Sequence, residues 1–230
     1  MTTSLQTTLD FLRALRVNNT TEWFHAHRAE YEIARNAFEA LISDVLIQFK
    51  LVDDLGSVQA SDTIHRINRD IRFSADKSPY KREMSALIGA EGRKSIGRAY
   101  YMQIAPDGES FVTAGAYMLE PDELQHIRET IATDAKPLKA ILSADSFKTH
   151  FGTMRGDQVK TAPKGFAKDH PDLALLRYKE FMAEHRFTDQ EVLSADFAAQ
   201  IVETCQTMKP FVVYFDNILG PRVKREHGKH

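Results

Sequence analysis

The chain has 230 residues, 43% of them hydrophobic, and its 30 Lys and Arg stand against 32 Asp and Glu for a formal net charge of −2. That length suits one large domain or two small ones, with enough apolar content for a sizeable core. The charge balance excludes a globally basic nucleic-acid coat, though not a local basic patch, and the single cysteine, Cys205, excludes an internal disulfide and suits a reducing compartment.

Met1–Gln6 has neither a basic start nor an apolar core, so no signal peptide is expected. No apolar run approaches the roughly 20 residues of a membrane helix. A soluble, cytoplasmic protein without membrane contact is the expectation. Leu5, Leu9, Leu12 and Leu15 recur at helical spacing and predict a first helix, which Asn18-Asn19 breaks. Asn19 and Glu22 have the spacing of a capping box, and Phe24, Tyr31, Phe38, Val45 and Phe49 then fall on one stripe. One long amphipathic helix over about 20–49 is predicted.

Past the Asp53-Asp54-Leu55-Gly56 turn the period changes. Ile64–Ile67 and Ser85–Ile88 read as short strands, and Tyr100–Ile104 alternates. Pro106-Asp107-Gly108 is a turn signal ahead of a strand over Phe111–Met118, which completes an antiparallel meander. Ala114-Gly115-Ala116 leaves little bulk there, as where a helix, backbone or ligand comes close.

Helices are expected from Pro121, from Pro137 and, after a mostly irregular stretch over Phe147–Asp169, from Pro171. Glu180–Phe187 reads as a strand returning to the sheet. Thr188 with Glu191 makes a capping box, Ala195–Met208 a helix, and Pro210 the start of a last helix ending at Gly220-Pro221. The order of helices, strands and helices gives an α+β fold: a central antiparallel sheet packed with several helices, in one domain over 1–222 with a polar tail at 223–230.

The least ordinary stretch is Ile64–Arg82, whose six cations and two acids give it a net charge of +4. Guanidinium groups packed this closely repel one another unless something negative lies among them. One reading is an anion site. Arg66, Arg69, Arg72, Lys77 and Lys81 would neutralise a phosphate or carboxylate, with Ile67, Ile71 and Phe73 anchoring the backbone. The other is a purely structural network in which Arg69 and Arg72 pair with Asp70, Asp76 and distant acids to pin a long loop.

A second candidate is Lys160–Pro171. Lys160, Lys164 and Lys168 are evenly spaced, Asp169-His170 lies at a predicted helix start with Arg177 on the helix beyond, and free backbone N–H groups there attract anions. Its plain alternative is an ordinary N-cap in a lysine-rich loop. Trp23, the only tryptophan, could floor a pocket or simply pack a helix end. His25 and His27 lack a third ligand, so no metal is expected, and no Walker loop, zinc motif or nucleophile elbow is present. Cys205, on an apolar face, reads as an inert core thiol.

Arg69-Asp70-Ile71-Arg72-Phe73-Ser74-x-Asp76-Lys77-Ser78-Pro79-Tyr80-Lys81 resembles the hallmark of an uncharacterised family, domain of unknown function 2461. Asn18-Asn19 with Trp23-Phe24, Tyr100-Tyr101 through Gly115, Arg128, Ala162–Phe166, Asp169-His170-Pro171 and Leu176-Arg177 resemble its other blocks. The likeness runs from about Leu9 to Phe215. It implies one continuous domain and no activity.

The leading expectation is therefore a protein that binds a small anionic ligand. Lys164, His170 and Arg177 would form a wall facing the first block, with Trp23 nearby. Whether turnover occurs stays open; in a catalytic site Asp70, Tyr80 or His170 would carry the proton. No cofactor is implied, and nothing in the pattern sets an oligomeric state. The alternatives are a nucleic-acid or protein interaction module, which would turn its cations outward and weaken steeply with salt, and a scaffold whose arginines serve only the loop.

Overall fold

The computed structural model describes residues 4–50 and 55–220. The expected Asp53-Asp54 turn residues, Pro221 and the polar tail at 223–230 lie outside the described residues. The element order is α1 (Leu5–Val17), α2 (Thr21–Ala26), α3 (Arg28–Phe49), α4 (Ala60–Thr63), β1 (Met84–Gly89), a 3-10 turn (Gly92–Lys94), β2 (Ala99–Ile104) and β3 (Ser110–Ala116). There follow α5 (Pro121–Thr133), α6 (Lys136–Ser143), α7 (Asp145–Phe151), α8 (Leu173–Leu176), β4 (Phe181–Phe187), α9 (Asp189–Val192) and α10 (Phe197–Leu219). The strands form one antiparallel sheet in the order β1-β2-β3-β4, an α+β architecture.

The chain packs as two compact units, each drawn from three stretches of sequence: Met1–Ser95, Tyr100–Val112 and Arg186–Glu203 in the first, Ile96–Ala99, Thr113–His185 and Thr204–His230 in the second. In the first, α1 lies against α3. Leu9, Leu12 and Leu15 and, on α3, Phe38, Ile42 and Val45 are all fully buried. The Thr8 hydroxyl donates to the Ala34 carbonyl at 2.9 Å. Asp189 fastens the β2–β3 turn, accepting the Asp107 and Gly108 backbone N–H groups at 3.0 and 2.9 Å and pairing with Arg13. In the second unit Ile127, Leu138, Leu176 and Phe211 are fully buried. Buried Arg128 donates to the Leu176 and Tyr178 carbonyls at 2.8 and 2.9 Å.

Several expectations need correction. The helix expected over 20–49 is two, broken at His27, where both the backbone N–H and ring Nδ1 of His27 take the Trp23 carbonyl, at 3.0 and 2.8 Å. A carbonyl claimed by a local side chain competes with continued helical pairing. The cap of α2 is Thr20, not Asn19. Ile64–Ile67 makes a single isolated bridge, Ile64 to Ala86, rather than a strand. α7 occupies Asp145–Phe151, in part where irregular chain was expected, and the helix after Pro171 is a single turn. Pro210 lies inside α10 rather than at the start of a separate helix.

The small residues of β3 have a clear purpose. Gly115, at φ +147°, faces the Phe181 carbonyl so closely that a Cβ there would lie 2.0 Å from its oxygen. The close neighbour is backbone, one of the three options the sequence left open.

Candidate functional site

Within the first unit, the segment after α4 doubles back on itself. Ile64 bridges Ala86 and Asn68 bridges Tyr80, both antiparallel, so 64–69 and 79–86 form a ribbon and 70–78 its tip. This explains where the arginine-rich motif goes. Ile67 is buried, but Ile71 is only half-buried and Phe73 is 96% exposed, so of the three expected anchors only Ile67 holds the core.

The tip neutralises its own charge. Arg69 donates to Asp76 at 2.8 Å, to the Ser78 carbonyl at 3.1 Å and to the Ser74 hydroxyl at 3.2 Å. Arg72 grips Asp70 through Nε and NH2, and Lys77 donates to the Ile71 carbonyl at 2.9 Å. Asp70 is held down to about 2 by the side-chain and then the backbone hydrogen bonds of Arg72, and Asp76 lower still by the Ser78 hydroxyl and amide and by Arg69. Both are firmly anionic, and Asp70 is a poor proton acceptor.

Beside the ribbon lies a cleft of about 990 Å³. One part of its lining comes from α2 and α3: His25, Arg28, Tyr31 and Arg35, with Phe24 among them. The other comes from the ribbon and the 3-10 turn: His65, Arg66, Ile67, Pro79, Tyr80 and Arg93. The lining holds four arginines and two histidines but no carboxylate.

The four guanidinium groups differ in their commitments. Arg28 pairs with Glu32 at 2.9 Å, a residue outside the lining, and sits 5.5 Å from the Tyr31 ring. Arg35 lies at the Tyr31 hydroxyl, whose pKa burial pushes up and Arg35 and Arg28 pull back. Arg93 spends NH1 on the Ser61 carbonyl at 2.7 Å, with Asp62 and Ile64 carbonyls at 3.4 Å, capping the C-terminus of α4. Arg66 makes no hydrogen bond or ion pair among the described residues, though its charge is felt at Asp70. His65 is held below its ordinary value by burial first and then by Lys81 and Arg93, so near neutral pH its ring carries no charge.

Pro79 and Tyr80 join the motif to the cleft wall from the tip side, and Tyr80 is the larger of the two. It is 5% exposed, and its ring stacks on Phe24 with centroids 4.0 Å apart. Lys81, next along, is half-buried near His65 and Glu83, the latter raised by burial and drawn back by Lys81. Trp23 is outside the lining; it stacks on His27 at 4.0 Å and leans on Phe11 at 5.9 Å, packing a helix end.

Lys164, His170 and Arg177 belong to the second unit. Lys164 is exposed. His170 Nδ1 accepts the Asp172 backbone N–H at 3.0 Å, ahead of α8, and Arg177 Nε donates to the Val159 carbonyl at 2.7 Å. Two members of the expected set, Arg66 and Tyr80, line the cleft; Arg28, Arg35, Arg93, His25 and His65 were not in that set. His25 belongs to α2, while Arg28 and Arg35, seven residues apart on α3, share one helical face, a signal the sequence did carry. Arg93 had none, because its place depends on Gly92 meeting the Asp62 carbonyl. Among the described residues no group of three or more His, Cys, Asp or Glu could hold a metal ion. None of the described helices is long and apolar enough to cross a membrane.

Residues 7–214 match the family described as conserved hypothetical protein (DUF2461). The chain belongs to this family. The match takes in the whole ribbon, the cleft lining and the His170 block of this DUF2461 protein. No curated protein and no solved structure matches the chain.

Proposed function

We propose that the cleft of the first unit binds a small anionic ligand of the phosphate or carboxylate class. The observation that carries this reading is a concave lining with four guanidinium groups and no acid. Arginines so placed attract an anion, because their forks match its oxygens in pairs and water is partly displaced around them. Arg66, with no hydrogen bond or ion pair among the described residues, is the first contact, and Arg93, braced by carbonyls, is the second. The tip arginines serve a different purpose: Arg69 with Asp76 and Arg72 with Asp70 support the structural reading for that loop. Concavity favours a small molecule over a nucleic-acid duplex.

The proposal is binding rather than turnover. Of the expected proton carriers, Asp70 is committed to Arg72 and His170 to a backbone N–H, while Tyr80 alone lines the cleft. A cytoplasmic setting is supported by the single cysteine, Cys205, since the sequence can form no internal disulfide of the kind common in oxidising compartments.

Isothermal titration calorimetry with inorganic phosphate and with citrate tests the reading. Binding to the wild type, a loss of roughly tenfold or more in Arg66→Ala, and none in Arg72→Ala is the expected pattern. No binding of either anion, or equal affinity in a folded Arg66→Ala, would overturn it.

A further inference from the structure

The cationic lining falls into two groups by element. Arg28 and Arg35 lie on α3 seven residues apart, about 10 Å along its axis. Arg66 and Arg93 come from the ribbon and the 3-10 turn, with Lys81 and His65 near Arg93. Each group has its own anchor. Tyr31 orders the first, with Arg28 over its ring and Arg35 at its hydroxyl. The α4 carbonyls order the second through Arg93. One phosphate has too few oxygens to meet guanidinium groups distributed in this way, and at about 990 Å³ the cleft has the size of an organic ligand rather than of a lone ion. The apolar lining from Phe24, Ile64, Ile67 and Pro79 offers surface to a carbon frame.

Resting on the anion-binding reading above, we infer that the ligand carries two separate phosphate-class groups on an organic frame, one met by Arg28 and Arg35 and the other by Arg66 and Arg93. The second group is the stronger locus, because Glu32 pairs directly with Arg28 whereas Arg66 makes no ion pair among the described residues and feels Asp70 only at longer range. A monoanion therefore occupies the Arg66 and Arg93 end. A doubly charged molecule gains the other end as an intramolecular contact, without a second loss of translational freedom.

The test compares a butanediol bisphosphate, with a phosphate at each end, against butyl phosphate and pyrophosphate by calorimetry at one fixed ionic strength. The bisphosphate is expected to bind the wild type about tenfold or more tighter than butyl phosphate, and tighter than pyrophosphate. Arg35→Ala should bring the bisphosphate down to the butyl phosphate level and leave butyl phosphate unchanged, while Arg66→Ala weakens both. Equal affinities for the bisphosphate and butyl phosphate, or for the bisphosphate and pyrophosphate, would overturn the two-group inference and leave anion binding standing. So would equal losses of both ligands in Arg35→Ala. Failure of all three probes to bind would remove both.

Discussion

The side-chain amide of Asn19 takes both backbone groups of Tyr80: its Nδ2 donates to the Tyr80 carbonyl at 2.9 Å and its Oδ1 accepts the Tyr80 N–H at 3.1 Å. Asn19 lies in the three-residue link between α1 and α2, while Tyr80 stands on the ribbon behind the arginine-rich tip. One amide thus acts as a short stretch of β-ladder joining segments 61 residues apart. It also sets the Tyr80 ring against Phe24 in the cleft wall.

Asn19→Ala should destabilise the protein by about 1–3 kcal/mol, because it leaves a half-buried backbone donor and acceptor without partners. Asn19→Asp retains the acceptor and loses the donor, so a smaller loss is expected. Urea midpoints at constant m-value check both. An alanine variant as stable as wild type would mean that the clamp holds nothing.

Arg69→Ala should open the ribbon tip without emptying the cleft. Arg69, at the base of the tip, reaches three acceptors across the loop, Asp76, Ser74 and the Ser78 carbonyl. Without it, trypsin should cut faster at Arg72 and Lys77, while phosphate affinity stays within about twofold of wild type, since Arg69 is outside the lining. Unchanged proteolysis would show that Asp76 and Ser78 order the tip unaided.

How much of this was legible follows from whether the decisive contact is local. The helices α1 and α5 and strands β2 and β4 were readable because their own periodicity writes them. The pairing of Arg72 with Asp70, two residues apart, was within reach of the sequence, and it takes from the motif a cation that composition alone assigns to a ligand. Arg28 and Arg35 sat in plain view on a helix whose apolar stripe drew the reading to its other side. The break at His27 was hidden because a ring competing for the Trp23 carbonyl leaves no trace in periodicity. Arg93 reaches the cleft only through contacts some 30 residues away, and no local pattern encodes that.

Gly115→Ala should cost about 2–4 kcal/mol, the sum of a disfavoured backbone angle and a clash with the Phe181 carbonyl that a strand cannot relieve by moving a flexible side chain. Gly108→Ala is the matched control: its φ is also positive, at +74°, but nothing stands within 4 Å of the added carbon, so only the backbone penalty remains. Equal losses in the two variants would show that the β3–β4 approach is not tight.

The His65 ring gives stability a pH dependence of known sign. Its pKa in the fold lies below the ordinary 6.5, through burial and then through Lys81 and Arg93. The unfolded chain therefore takes up a proton that the folded chain refuses, and stability rises with pH across that interval. The contribution is whole above about 6.5 and drains away as pH falls from there through the lowered folded value. His65→Gln, which keeps a polar planar group of similar reach, should flatten this part of the profile, so the stability difference between wild type and variant should shrink or reverse as pH drops from 8 to 5. A difference that stays constant over the range would mean that His65 titrates alike in both states.

Pro210 makes the last case. It occupies an exposed position inside α10, with buried Met208 on one side and Phe211 and Val212 on the other. An interior proline forfeits one helical hydrogen bond and crowds the carbonyl four residues back, at a cost of about 3 kcal/mol. The helix continues because the apolar residues flanking it keep their places in the core: Phe211 meets Phe147 at 5.4 Å, and Phe215 meets Phe181 at 4.9 Å. Packing thus overrides a local stop signal. Pro210→Ala returns the N–H and removes the crowding while burying nothing new. Against that gain stands the greater freedom of the unfolded chain, worth up to about 1 kcal/mol. The net expectation is stabilisation by about 1–3 kcal/mol, read as a higher urea midpoint. A lower midpoint would show that the proline itself sets the backbone geometry that lets Phe211 and Phe215 reach their partners together.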